Sequence, residues 1–137
     1  MTIRIFTSTA AIATAIGLAA QGGAHHAFAA EFDATRTITV EGVVTKARIV
    51  NPHSWVYLDV KNKDGSVTNW GFEFSTPGGL HAKGVSKEDL RAGTPIRIEG
   101  YVARNGGSFG YSRVATLAGR TVQTGQSFGP AKLAALR

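Results

Sequence analysis

The feature that most constrains this fold is a stretch of strict hydrophobic alternation in the middle of the chain. In residues 54–60 every second side chain is aliphatic, and residues 68–74 repeat the pattern with aromatic rings. A two-residue period places alternate side chains on opposite faces of a β-strand. Asn62–Gly65 separates the two runs and ends in Asp-Gly, a pair that suits the positive φ angles of a hairpin turn. The centre of the chain therefore predicts an antiparallel hairpin with one apolar face.

Further strands flank this hairpin. Less regular alternating runs lie at residues 37–49, 94–103, 111–117 and 121–122. Gly42 interrupts the first of them, which is typical of a bulge or a sharp coil. Ser86 and Asp89 have the spacing of a capping box, which predicts one short helix between the third and fourth strands. We expect this helix to close the end of a barrel with Leu80, Val85 and Leu90.

These elements predict an all-β chain with little helix. The interpretation that we favour is a five-stranded, OB-like Greek-key barrel with one short helix, and a β-sandwich is the alternative. We assign residues 1–24 to a signal peptide, 25–36 to an N-terminal lead-in, 37–122 to the barrel and 123–137 to a flexible tail.

The first two dozen residues have the order of a secretory signal. Met1–Arg4 is positively charged, Ile5–Ala20 is apolar and uncharged, and a stretch of small residues follows. A membrane anchor is the alternative, but the apolar run is short and diluted by alanine and threonine for about 30 Å of hydrocarbon. We therefore predict a periplasmic or secreted protein whose mature chain has no membrane span.

The composition and the absence of known catalytic motifs favour binding over catalysis. The chain has no cysteine and a formal net charge of +6, and it has no nucleophile elbow, phosphate-binding loop or helical pair of metal-ligating histidines. An excess of positive charge favours solubility or contact with acidic polymers. We expect an exported binding module rather than an enzyme, with a metal ion or an envelope polymer or protein as its partner and not nucleic acid.

Three of the four histidines form a candidate metal site. If the signal is cut after Ala24, the mature chain starts at His25, so its α-amine and first imidazole form a chelate beside His26. His53 follows Pro52 at a strand junction and can add a further nitrogen. Such a nitrogen set favours copper, with zinc as the less favoured metal. A cut after Ala29, which also satisfies the small-residue rule, would instead remove both N-terminal histidines.

Two other functions are alternatives to simple metal binding. The first is a polymer- or protein-binding surface without metal, in which aromatic side chains stack on the partner beside a basic rim. The residues predicted for this surface are Trp55, Tyr57, Trp70, Phe109, Tyr111 and Arg113. The second is an oxidative metalloenzyme that uses the three histidines and an open coordination position.

Several motifs together resemble a known family. These motifs are Ala24–Asp33, Gly42–Lys46, Asn51–His53, Thr68–Glu73 and Leu90–Gly93. They resemble the DUF6152 type of small exported bacterial proteins of unknown function. The resemblance implies export and a compact β-domain, and it brings no established activity.

Overall fold

The computed structural model describes residues 27–128 and residue 134. This part of the chain is mostly β-structure, and residues 27–31 form a helical turn before the first strand. The strands are β1 (Phe32–Arg48), β2 (Ser54–Lys61), β3 (Val67–Phe74), β4 (Pro95–Ala103), β5 (Phe109–Leu117) and β6 (Arg120–Gln123). None of the described helices is long and apolar enough to cross a membrane.

Five of the strands close into a barrel-like ring. The long strand β1 pairs with both β2 and β4, β2 pairs with β3, and β4 pairs with β5, all antiparallel. A short parallel pairing of β3 with β5 closes the ring. The predicted OB-like all-β fold is confirmed, and the strands form one sheet rather than the two of a sandwich. A sixth strand, β6, contains the predicted run at residues 121–122 and pairs with β5, so the sheet has one strand more than the predicted barrel.

The inside of the ring is filled by the aliphatic and aromatic side chains that the alternation assigned to one face. We call this set the inner core. Val56, Leu58, Phe72 and Phe74 are fully buried in it, and Trp70 packs against it. Leu80, Val85 and Leu90, which were predicted to close the end of the barrel, are all buried in this inner core.

The irregularity predicted at Gly42 lies three residues further along β1. The register shifts between Val44 and Lys46, so the extra residue is Thr45. Gly42 has a different role, because a Cβ atom there would lie 2.2 Å from the carbonyl oxygen of Asp59. The glycine thus permits close backbone approach between β1 and β2, while the bulge places both Lys46 and Arg48 opposite residues of the outer face of β2.

Two short helical segments occupy the β3–β4 connection where one was predicted. Helix α1 (Pro77–Ala82) is capped by the Thr76 hydroxyl, which accepts from the Gly79 N–H at 3.1 Å. The chain then turns at Gly84, whose φ of +72° ends helical geometry. The predicted capping box forms in the second segment, the 3₁₀ turn Glu88–Leu90. There the Ser86 N–H donates to Asp89 Oδ2 at 2.8 Å, and the Asp89 N–H donates back to Ser86 Oγ at 3.2 Å.

Asp89→Ala is expected to lower the free energy of unfolding by about 1 kcal/mol at pH 7, as loss of a helix cap usually does. Hydrogen bonds from Ser86, with the Arg120 charge, hold the pKa of the Asp89 carboxyl below its usual range. Its stabilisation is therefore present above the unfolded-state pKa and is lost as the pH falls through the lower folded-state pKa. Urea unfolding at pH 7 and pH 3 measures this, with Glu88→Ala as the control. A difference between wild type and Asp89→Ala that does not shrink at low pH would contradict the assignment.

The boundaries of the domain differ from the predicted ones at both ends. Strand β1 starts at Phe32 rather than at residue 37, and Phe32 pairs with Ala103. At the other end, Thr124 and Phe128 are buried, so residues 124–128 pack on the ring instead of fraying. The reason is a second set of buried aromatic side chains outside the ring. We call it the outer aromatic cluster, and its rings are Phe28, Phe32, Tyr101, Tyr111 and Phe128. The predicted signal peptide, residues 1–24, lies outside the described residues.

Candidate functional site

A cavity of about 290 Å³ lies on the outside of the ring. We call it the outer pocket. Helical residues 27–31 border it on one side, and the ends of β3 and β5 and residues 126–128 border it on the others. Its lining includes Ala27, Phe28, Glu31, His53, Glu73 and Tyr111. The pocket therefore combines aromatic walls with one imidazole and two carboxylates.

The ladder between β2 and β3 brings His53 and Glu73 together. Ser54 pairs with Phe74 and Trp55 pairs with Glu73, so His53 comes just before the paired region, at the same end of the hairpin as Glu73. His53 Nδ1 lies 2.7 Å from Glu73 Oε1, which is the distance of a strong hydrogen bond. When Nδ1 donates to a carboxylate, Nε2 is the nitrogen left to accept a proton or bind a metal.

The carboxylate of this pair is buried and the imidazole is half exposed. The side chain of Glu73 is 12% exposed and that of His53 is 52% exposed. Burial raises the pKa of Glu73, the neighbouring His53 lowers it, and the charge of Glu31 raises it further. A positive charge at His53, from a proton or a metal ion, therefore stabilises the ionised form of Glu73.

The walls of the outer pocket are set by the outer aromatic cluster. The Phe28 ring lies 4.4 Å from the Phe128 ring and 5.0 Å from the Tyr111 ring, between ring centroids. The Tyr111 hydroxyl accepts from the Gln126 N–H at 2.8 Å, which fastens residues 124–128 to β5. Burial raises the pKa of the Tyr111 hydroxyl, so it stays protonated. These contacts explain why chain outside the ring is ordered around the pocket.

Helical residues 27–31 are held by backbone hydrogen bonds as well as by Phe28. The Arg104 side-chain Nε–H donates to the carbonyl oxygen of Ala29 at 2.6 Å, and the Arg104 backbone N–H donates to that of Glu31 at 2.9 Å. Arg104 follows the last residue of β4. One arginine therefore joins the helical turn to the ring beside the outer pocket.

The predicted metal ligands fall partly inside the described chain. His53 lines the outer pocket, while His25 and His26 lie outside the described residues. His81 lies on α1, where it is exposed, and it does not line the outer pocket. Within residues 27–128, no group of three or more histidine, aspartate or glutamate side chains could hold a metal ion.

The residues predicted for a polymer-binding surface lie in four separate places. Trp55 and Tyr57 are half-buried, and their rings stack on the outer face of β2. Trp70 packs on the inner core, whereas Tyr111 belongs to the outer aromatic cluster and Phe109 packs against it. Arg113 is half-buried with a guanidinium nitrogen 3.5 Å from Glu99. The structure therefore brings Trp55 and Tyr57 together on one surface, and the other four predicted residues lie elsewhere.

Sequence reasoning missed Glu73, Phe28 and Phe128. Glu73 is a lone acid among aromatic residues of β3, which is the one local signal that could have drawn attention to it. Phe28 and Phe128 are single aromatic residues in otherwise small or polar stretches, and such isolated residues have no periodicity to detect.

Comparison with known proteins identifies a family but no individual curated protein or solved structure. A model described as a family of unknown function, DUF6152, matches residues 13–112. This confirms the resemblance in the motifs, and the matched range covers more than half of the chain and includes His25, His26 and His53. No curated protein and no solved structure matches the chain.

Proposed function

Because the chain belongs to DUF6152, a family of unknown function, we propose from its own geometry that it is an exported copper-binding protein. The ligands are the α-amine and imidazole of His25, with His26 beside them, and the imidazole of His53. One observation carries the proposal. Ala27, the residue bonded to His26, lines the same pocket as His53. We propose that His25 and His26, which directly precede Ala27 in the chain, bind the metal together with His53 at this pocket.

The hydrogen bond between His53 and Glu73 supports this assignment. Histidine ligands of metals usually donate their second N–H to a carboxylate, which sets the orientation of the ring and raises its basicity. Here the distance is 2.7 Å and the carboxylate is buried, so it has little freedom to turn away. Nε2 of His53 is then the ligand atom. A set of neutral nitrogen ligands favours copper over magnesium or calcium, which prefer oxygen.

Packing of Phe28 supports a signal cut after Ala24 rather than after Ala29. Phe28 is buried against the rings of Phe32, Tyr101, Tyr111 and Phe128. A cut after Ala29 would remove this ring and leave a cavity in the outer aromatic cluster. A cut after Ala24 keeps it, and the ring then anchors the chain a few residues from the metal chelate.

The intact mass of the exported protein and a copper titration test the proposal together. We expect a mature chain that starts at His25 and binds one Cu(II) ion, measured by calorimetry. The same chain with its α-amine acetylated should bind at least tenfold more weakly, because the acetylated nitrogen can no longer donate to the metal and the chelate with the first imidazole is lost. A mature chain that starts at Ala30, or equal affinity of the two forms, would overturn the proposal.

A further inference from the structure

The outer face of β2 presents two aromatic rings side by side. The centroids of Trp55 and Tyr57 are 6.3 Å apart and their planes differ by 22°. Both side chains are half-buried, and neither belongs to the inner core or to the outer aromatic cluster. We call this pair the Trp55–Tyr57 platform. Since the packing of the domain buries these rings only in part, their exposed faces are available to a ligand.

Gly71 allows the two rings of the platform to lie close to the backbone of β3. It pairs with Tyr57 across the β2–β3 ladder. A Cβ atom on Gly71 would lie 3.1 Å from Tyr57 Cε1 and 3.8 Å from Trp55 Cε3. Both rings therefore extend over the glycine, so this part of the surface consists of aromatic ring rather than of aliphatic side chain.

Two cations stand beside the platform on the neighbouring strand. Lys46 pairs with Tyr57 and Arg48 pairs with Trp55 in the β1–β2 ladder. Both are exposed, and among residues 27–128 neither has an ion pair or a side-chain hydrogen bond. Arg97, Arg113 and Arg120, in contrast, each pair with an acidic side chain. Lys46 and Arg48 thus supply one free positive charge for each ring.

We propose that this surface binds an acidic polysaccharide. The apolar faces of successive sugar rings stack on Trp55 and Tyr57, and the carboxylates of the sugars pair with Lys46 and Arg48. Single-stranded nucleic acid would use similar stacking and charge, but in a protein proposed to be exported a glycan is the polymer within reach. The surface uses neither His53 nor the N-terminal histidines, so it is independent of the copper site.

Polygalacturonate, which has one carboxylate on each sugar, is the probe for this surface. Binding of the full mature chain is measured by calorimetry in EDTA, so that no metal bridges protein and polymer. The test variant is Lys46→Glu with Arg48→Glu. The matched control is Lys63→Glu with Lys83→Glu, which changes the net charge by the same amount at two exposed positions outside β1 and β2. Trp55→Ala tests stacking, and its near-ultraviolet circular dichroism checks the fold.

We expect wild type and the Lys63/Lys83 control to bind alike, within about twofold, because screened charges far from the polymer contribute little. The Lys46/Arg48 variant and Trp55→Ala should each bind at least about tenfold more weakly. Binding should weaken with salt and be weaker for dextran, which has no charge. His53→Ala should bind the polymer like wild type. Equal losses in the two charge variants, no binding of polygalacturonate, or tighter binding of oligo(dT) would each overturn the proposal.

Discussion

Replacing His53 by alanine is expected to lower the Cu(II) affinity of the mature protein by more than about 100-fold. Loss of the carboxylate partner of a metal-binding histidine already costs about 10–100-fold, and loss of the histidine removes a ligand as well. The N-terminal amine and His25 would then hold the ion without the nitrogen that the folded domain supplies. Calorimetric titration with Cu(II) at pH 7 measures the change.

Two further variants show whether the loss comes from the site. Glu73→Gln keeps the shape of the side chain but removes the charge beside His53 Nδ1, so it should cost about 10–100-fold. His81→Ala removes an exposed histidine of α1 and should leave the affinity unchanged. If His53→Ala and His81→Ala bind copper equally well, His53 is not a ligand and the proposed ligand set is wrong.

Phe28→Ala is expected to lower the free energy of unfolding by about 3 kcal/mol, the lower end of the range for a buried phenylalanine. Phe28 is 9% exposed and has four aromatic neighbours, so its removal leaves a cavity between residues 27–31, β5 and residues 124–128. Urea unfolding followed by tryptophan fluorescence measures the loss. Val67→Ala, at a position that is 59% exposed, should change the stability by less than about 0.5 kcal/mol.

The same substitution also tests the link between the outer aromatic cluster and the proposed copper site. If Phe28 holds the N-terminus next to His53, Phe28→Ala should weaken Cu(II) binding under conditions in which the protein stays folded. Phe72→Ala is the matched control, because Phe72 is fully buried in the inner core and does not line the outer pocket. Phe72→Ala should therefore lower stability by a similar amount without the same loss of copper affinity. An equal loss in both variants would show that stability, rather than anchoring, sets the affinity.

The two proposed sites share one face of the sheet. Trp55 belongs to the platform and is also the ladder partner of Glu73, which holds His53. A polymer lying along the platform would therefore pass next to the outer pocket. The experiments above separate the two sites, because the polymer is tested in EDTA and copper is tested without polymer.

The sequence by itself determined the hairpin of β2 and β3 and the two faces of its strands. Alternation is a local property, since successive side chains of a strand point to opposite sides wherever the strand lies. Val56, Leu58, Phe72 and Phe74 could therefore be assigned inward, and Trp55 and Tyr57 outward, before the ring was known. The burial of Leu80, Val85 and Leu90 could also be predicted, because these apolar residues lie in the helical segment between β3 and β4 rather than in an alternating strand.

Only the tertiary structure decided which parts of the outward face are covered. Glu73 and Tyr111 alternate outward like Trp55 and Tyr57, yet both are buried. They are buried because residues 27–31 and 124–128, from opposite ends of the described chain, pack over them through Phe28 and Phe128. No local pattern encodes that contact, since its free energy comes from apolar surface that residues far apart in sequence remove from water together. The pairing of His53 with Glu73 arises in the same way, across a hairpin whose register places two distant side chains 2.7 Å apart.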